Sequence, residues 1–507
     1  MNRRSIRVAA ALVAVLLSIL LFTAVSAGSA ACANRTNNTF DKLLECVTLE
    51  GVRQHQAALQ AIADAHGGDR VSGSAGYDAS VDYVVDTMTA AGYNVTVQPF
   101  TFFAWRPLGP STLAQVAPLP ATYAEGPDYR LMTQTDAGDV TAAVTPVDLN
   151  FGNPAASTSG CEAADFAGFP VGHIALIQRG ACTFQLKAEN AAAAGATGVI
   201  IFNQGNSPDR VGTIVGTLSN AYSGGIPVLF ATYTLGQEWA STPGLILHMV
   251  ANVFRGESTT YNVLAETRSG RDDTVIMVGA HLDSVPLGPG INDNGSGSAA
   301  LLEIARQMAK VKPWNKVRFA WWGAEESGLV GSTFYVNNLS SAELDRITLY
   351  LNFDMIGSPN FARFIYDGDG SGFGLAGPPG SAQIEALFER YYAARGLPSE
   401  PTQISFRSDY AAFFDAGIPF GGLFTGAEGI KSPEQAALYG GTAGIAYDPC
   451  YHLACDTFAN NSDTALEQNS DAVAFAVLQY AMNVETITGQ RGKGNFKPEK
   501  WGEEYVR

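Results

Sequence analysis

The sequence predicts an α/β fold: a mostly parallel central sheet sandwiched by helices, interrupted by an inserted β-rich domain. Three observations carry this. The runs TVIMVGAHLD, KVRFAWWGAEE and TLYLNFDMIG are almost continuously apolar, as strands covered on both faces must be, and helical segments lie between and after them. A stretch from about Gly109 to Gly256 is dense instead in short β-type runs with glycine and proline between them. The length of 507 residues exceeds what one small core needs, so two domains are the natural expectation.

Taken in order, the first thirty residues stand outside the fold. MNRRSIR is basic, VAAALVAVLLSILLFTAV is apolar and SAGSA offers small residues, the pattern of a secretory signal peptide. The apolar run approaches spanning length, which leaves an uncleaved membrane anchor as the alternative. Residues 31–108 form the first segment of the main domain. Apolar residues recur there at helical spacing from Phe40 to Ala91, in one segment that ends in the glycines at 67 and 68 and a second helix closed by Gly92, and an alternating strand runs from Tyr93 to Phe103. The insert, 109–256, holds the strand-like runs AVTPVDLNF, HIALIQRG, GVIIFNQ, IPVLFAT and LILHMVANVF and one clear helix, CTFQLKAENAAAAGA, stopped by Gly195. Residues 257–490 resume the α/β pattern. The charged stretch 491–507 reads as a tail outside the core.

Net charge is −17, and it becomes more negative still once a leader holding Arg3, Arg4 and Arg7 is removed. That excludes nucleic acid as a natural partner. The six cysteines fall into local pairs, predicting disulfides Cys32–Cys46, Cys161–Cys182 and Cys450–Cys455 in an exported chain. The competing zinc-finger reading lacks any CxxC pair.

The chemistry lies at strand ends. VIMVGAHLD delivers His281 and Asp283, RFAWWGAEE delivers Glu325 and Glu326, and LYLNFD delivers Asp354. Ligands of open α/β sheets bind outside those carboxyl ends. Asp293 lies in a glycine-rich turn before a helix, and His452 arrives later in CYHLACD. Singly, each has an ordinary structural explanation as a cap, turn or surface residue. Together they form an imidazole–carboxylate set of the kind zinc accepts. Five ligands suggest two ions and one bridging carboxylate. One of the adjacent glutamates is then free to accept a proton, and Asp283, on the same face as His281, is placed to receive the other ring N–H.

At GAHLDS, GINDNGSGSAALLEIA, WWGAEESGLVGS, NFDMIG, FRSDYAAFFDAGIPFGGLFTGAEGIKS and DPCYHLACD the chain resembles secreted double-zinc aminopeptidases of the bacterial leucine aminopeptidase and aminopeptidase Y kind. The resemblance spans about Ser72 to Phe103 and then Tyr261 to the late four-hundreds. It implies a zinc-peptidase fold holding two zinc ions per chain on His281, Asp293, Glu326, Asp354 and His452, with Asp293 bridging. It implies Glu325 as general base, Asp283 orienting the first histidine, and Tyr451 stabilising the oxyanion. Arg407 in SFRSDY matches a residue lining the substrate site, and Phe424 in GGLFTG is placed to line an apolar pocket. Cys450–Cys455 matches a disulfide of the last ligand loop. No residue is assigned to calcium, which the family resemblance leaves open. The insert resembles a protease-associated domain, with Cys161 and Cys182 as its cystine; its Arg179, Lys187 and His173 read first as solvated or structural residues.

The implied activity is hydrolysis of the first peptide bond of peptides or proteins with free N-termini, favouring large hydrophobic N-terminal residues such as leucine. The product of this reading is a secreted monomer with no membrane partner once its leader is gone. Related carboxypeptidases, single-zinc glutaminyl cyclases and non-catalytic receptors share the plan. The complete ligand set speaks against the last two.

Overall fold

A threonine and a serine start the two longer helices at the beginning of the chain. Thr48 caps Leu49–Ala65 by accepting from the Gly51 N–H, and Ser74 caps Ala75–Ala90 by accepting from Tyr77. With the short helix Phe40–Cys46 ahead of them, three helices stand where the periodicity gave two, one ending at Gly67 and Gly68 and one closed by Gly92. This computed structural model describes residues 32–490 and Gly492; the expected leader and the rest of the expected tail lie outside the described residues.

By its contacts the chain divides into two compact units, one running to Phe100 and resuming at Thr259, the other comprising Thr101–Ser258. The chain passes between them inside two long strands, Asn94–Pro107 and Val253–Glu266.

The first unit is built on an eight-stranded sheet. From edge to edge it runs Asn94–Pro107, Val253–Glu266, Asn315–Trp322, Arg271–His281, Ile347–Phe353, Phe420–Phe424, Phe364–Tyr366 and Glu400–Thr402. Its four middle strands are parallel. Alternation along Arg271–His281 explains the continuous apolar run. Ile276, Val278 and Ala280 pack on one face with the helices Gly295–Met308 and Asp463–Met482, while Val275 and Met277 pack on the other with Trp322, Tyr350 and Phe413. Each such buried aliphatic side chain contributes about 1.5–3 kcal/mol of transfer free energy, and the strand is held on both sides.

The second unit has its own eight-stranded sheet with a parallel centre, Gly138–Val147, Ile174–Gln178, Gly198–Phe202 and Val228–Ala231. Its first helix is Phe184–Ala193, as the alanine-rich run predicts. A second, Tyr233–Ala240, is one the sequence reading did not find. Thr232 caps it, and only Gly236 and Trp239 are buried, so two turns carry too few apolar positions to show a period. The six cysteines are bonded as Cys32–Cys46, Cys161–Cys182 and Cys450–Cys455. Among the described residues no helix is long and apolar enough to cross a membrane.

Candidate metal centre

Three neighbouring parallel strands release ionisable side chains at one edge of the sheet. His281 is the last residue of its strand and lies in register with Trp322, after which the chain turns through Gly323 and Ala324 to Glu325 and Glu326. Asp354 follows directly on Phe353. Asp293 comes from the turn before Gly295–Met308, and that helix is tied to the neighbouring strand end. Asn294 caps it, accepting from Gly297 at 2.9 Å, and donates to the Phe353 carbonyl at 2.9 Å. Gly297 is required here because a Cβ would collide with that same carbonyl. His452 arrives on the loop closed by Cys450–Cys455, in the left-handed backbone region at φ 57°. Ala324 and Met355, each beside one of the acids, share that region, in which non-glycine residues concentrate at functional sites.

The side chains converge. His281 Nε2 is 3.1 Å from Asp293 Oδ1 and 3.2 Å from Asp354 Oδ1. His452 Nε2 is 3.1 Å from Asp293 Oδ2 and 3.1 Å from Glu326 Oε2. Three groups with ligand spacing result here, His281–Asp293–Asp354, Asp293–Glu326–His452 and His281–Glu325–Glu326, and the first two share Asp293, one oxygen to each.

So many charges in a buried space perturb one another. Burial opposes the charge on His281, yet Glu325, Asp354, Asp283 and Asp293 carry its pKa well above the ordinary imidazole value. Burial likewise opposes His452, which Asp293 and Glu326 raise to about 10. Asp293 is held below the usual carboxylate range by the two histidines, against the cost of its burial. Burial and the nearby Asp293 push Glu326 up to about 7. Burial pushes Glu325 far above the usual range, opposed by His281 and reinforced by Glu326 and Asp354. This is the behaviour of a site whose negative charge calls for cations.

The donor set fits that need. Two imidazoles and three carboxylates are hard-to-borderline ligands suited to zinc. Glu326 Oε1 is buried with no hydrogen-bond partner among the described residues, an orphan that a cation would satisfy.

The remaining expected residues lie around the same cleft, a cavity of about 390 Å³. Glu325 lines it. Tyr451 does too, its ring stacked on His452 with centroids 3.8 Å apart. Arg407 reaches the Tyr451 hydroxyl at 3.1 Å, and Phe424, closing its strand, supplies apolar wall. Asp283 differs in detail from the expectation. The His281 Nδ1 lies nearer the Asp283 main-chain oxygen, at 3.1 Å, than its carboxylate, at 3.7 Å. The carboxylate accepts from the main-chain N–H of Glu325 at 3.1 Å and of Glu326 at 3.4 Å, so Asp283 steadies three of the residues at once.

Three contributors were not singled out from sequence. Ser408 donates to Asp354 Oδ2 at 2.6 Å. Asp409, wholly buried, has its pKa raised to about 7 by burial. Asp456 accepts from the main chain at Asn292 and Asp293. Ser408 and Asp409 lie in FRSDY and Asp456 in DPCYHLACD, but their roles depend on the approach of residues distant in the chain.

Two histidines and three carboxylates closing on a shared aspartate at the carboxyl edge of an α/β sheet define a metal-dependent hydrolase. Residues 262–477 match Peptidase family M28, and residues 140–239 match the PA domain. The chain is 57% identical over 479 residues to an aminopeptidase of Pseudomonas aeruginosa, covering 92% of this chain and 89% of that one. It is 40% identical over 468 residues to leucine aminopeptidase 2 of Trichophyton rubrum, covering 91% and 90%. Among solved structures it resembles a zinc aminopeptidase from Bacillus subtilis, with a TM-score of 0.61 and 26% identity over 85% of this chain and 94% of that one. The chain belongs to peptidase family M28, and it carries an inserted PA domain.

Proposed function

We propose that the chain is a zinc-dependent aminopeptidase that removes N-terminal residues from peptides and proteins, preferring large hydrophobic ones such as leucine. The observation that carries this is the position of Asp293, whose two oxygens each face a different histidine–carboxylate group. His281, Asp293 and Asp354 would hold one zinc ion, and Asp293, Glu326 and His452 a second. When bound, such a pair activates a water and polarises a carbonyl. Glu325, buried beside this cluster without being needed as a ligand, takes the water's proton and returns it to the leaving amine. Asp283 fixes the His281 ring and the backbone from which both glutamates project. Tyr451 donates to the carbonyl oxygen as it gains charge. Glu325 and Asp354 meet the substrate's ammonium, which restricts cleavage to chain ends. Phe424 and Met355, both on the cleft wall, receive the first side chain.

The names of the fungal relatives support the leucine preference, and that of the Bacillus subtilis neighbour supports zinc. We also propose that the protein is exported, for which the three cystines speak, and that it works as a monomer. For the domain plan we propose an insert at 109–256 within peptidase segments 31–108 and 257–490.

The test combines metal content with turnover. Glu325→Ala should retain zinc by elemental analysis and lose cleavage of leucyl-p-nitroanilide by at least about a hundredfold. The unaltered enzyme should leave N-acetyl-leucyl-p-nitroanilide intact. Unchanged turnover in the zinc-loaded variant would remove Glu325 from the mechanism, and cleavage of the blocked substrate would remove the aminopeptidase reading.

A further inference from the structure

The two histidines of the centre are held by unlike means. The side chain of His281 is 1% exposed and ends a central strand; that of His452 is 39% exposed and rides on a loop. That loop is fastened at both ends to the turn that presents Asp293. Asp456 accepts from the N–H of Asn292 through Oδ1 at 2.8 Å and from the N–H of Asp293 through Oδ2 at 3.0 Å. Ile291 N–H donates to the Asp456 main-chain oxygen at 3.1 Å. At the other end Asp448 accepts from the Asn292 side-chain amide at 2.7 Å and from the Cys450 N–H at 2.8 Å. Asn460 joins the two acids, donating to Asp448 at 2.9 Å and to Asp456 at 3.4 Å. Asp448 and Asp456 are both buried.

We infer that Asp456 is a positioning residue that sets the distance between Asp293 and His452, so that the Asp293–Glu326–His452 group, with its histidine on an exposed loop, depends on it more than the His281–Asp293–Asp354 group does. This rests on the two-ion reading above. A carboxyl group whose two oxygens accept from two consecutive main-chain N–H groups fixes the peptide plane from which the Asp293 side chain leaves. The same residue follows Cys455 and so anchors the far end of the loop bearing His452. One side chain therefore positions two of the three ligands of this group. The other group keeps two ligands, His281 and Asp354, at the ends of strands paired within the sheet, and loses the placement of only one when Asp456 is changed.

The experiment uses the full chain, stripped of metal and titrated with zinc against a competing chelator, with cobalt(II) absorption as a second readout of each site. The unaltered chain should bind two ions in two resolvable steps. Asp456→Ala should bind one ion within about threefold of normal and the other about 10–100-fold more weakly, the range typical of lost outer partners. Asp456→Asn, nearly the same shape with one acceptor oxygen left, should fall between, and it carries the test if the alanine variant does not fold by circular dichroism. Two ions bound with unchanged affinities by a folded variant would overturn the inference, as would equal weakening of both. A single ion in the unaltered chain would overturn the two-ion reading itself and this inference with it.

Discussion

Arg407 donates from Nη2 to the phenol oxygen of Tyr451 at 3.1 Å, while its Nη1 holds Glu428 at 2.7 Å. The phenol oxygen thus has an incoming donor, and its own O–H remains to donate into the cleft. With the ring stacked on His452, that hydrogen has a defined direction. Tyr451→Phe should lower kcat by about a hundredfold with KM little changed, because the lost bond forms only as the carbonyl gains charge. Arg407→Met should act in the same direction and less strongly. Steady-state kinetics on leucyl-p-nitroanilide measures both, and a raised KM at constant kcat would assign Tyr451 to ground-state binding instead.

Gly297 is where the helix behind Asp293 touches the strand end before Asp354. An alanine there would press its Cβ against the Phe353 carbonyl and against the Asn294 side chain that caps the helix. Backbone cannot yield as a side-chain tip can, so overpacking of about 1–3 kcal/mol is expected. Gly297→Ala should therefore lower the thermal midpoint and, by displacing Asp293 from Asp354, weaken metal binding. A variant with unchanged melting would show that the helix start can shift without cost.

Ser408 closes Asp354 from the side away from His281. Its hydroxyl donates to Oδ2 at 2.6 Å, leaving Oδ1 facing the histidine at 3.2 Å. It also accepts from Asn352 Nδ2 at 2.9 Å, so one hydroxyl links the strand to the ligand that follows it. Ser408→Ala leaves the Asp354 rotamer less defined, and zinc affinity should fall about 10–100-fold. Equilibrium dialysis of the folded variant would measure this.

The parts of this site that were legible in the sequence are those where a continuous apolar run stops at an ionisable residue. His281, Glu325–Glu326 and Asp354 mark strand ends because covered strands carry few such groups inside them and those need partners, as Lys316 and Arg318 have in Glu266. Alternation then placed the Asp283 carboxylate on the His281 side. The strand in fact ends at His281, alternation lapses beyond it, and the main-chain oxygen is the nearer group. His452 has no such local signal: it joined the set as a loop histidine in CYHLACD, and its place as a ligand was what the family resemblance implied. Asp456 acts on residues 164 and 163 positions away, a separation no periodicity encodes. Helix Tyr233–Ala240 escaped because two turns with two buried positions look like a loop.

Lys187 lies fully buried on the helix Phe184–Ala193 of the second unit. Its ammonium donates to the Ser159 carbonyl and lies 3.6 Å from Cys161 Sγ. Burial lowers its pKa to about 8 from the ordinary 10.5, with Asp165 and Asp148 only partly offsetting that cost. The sign follows from linkage: between about pH 8 and 10.5 the unfolded chain binds this proton and the folded chain releases it, so stability rises with pH across that window. The contribution is complete above 10.5 and is lost as pH falls through 8. Lys187→Met has no such proton. The difference in melting temperature between the unaltered chain and this variant should therefore shift in favour of the unaltered chain as pH increases from 8 to 10.5. Thermal denaturation of both at several pH values reads this directly, and a difference that stays flat across the window would mean that the folded protein holds Lys187 at an ordinary lysine pKa.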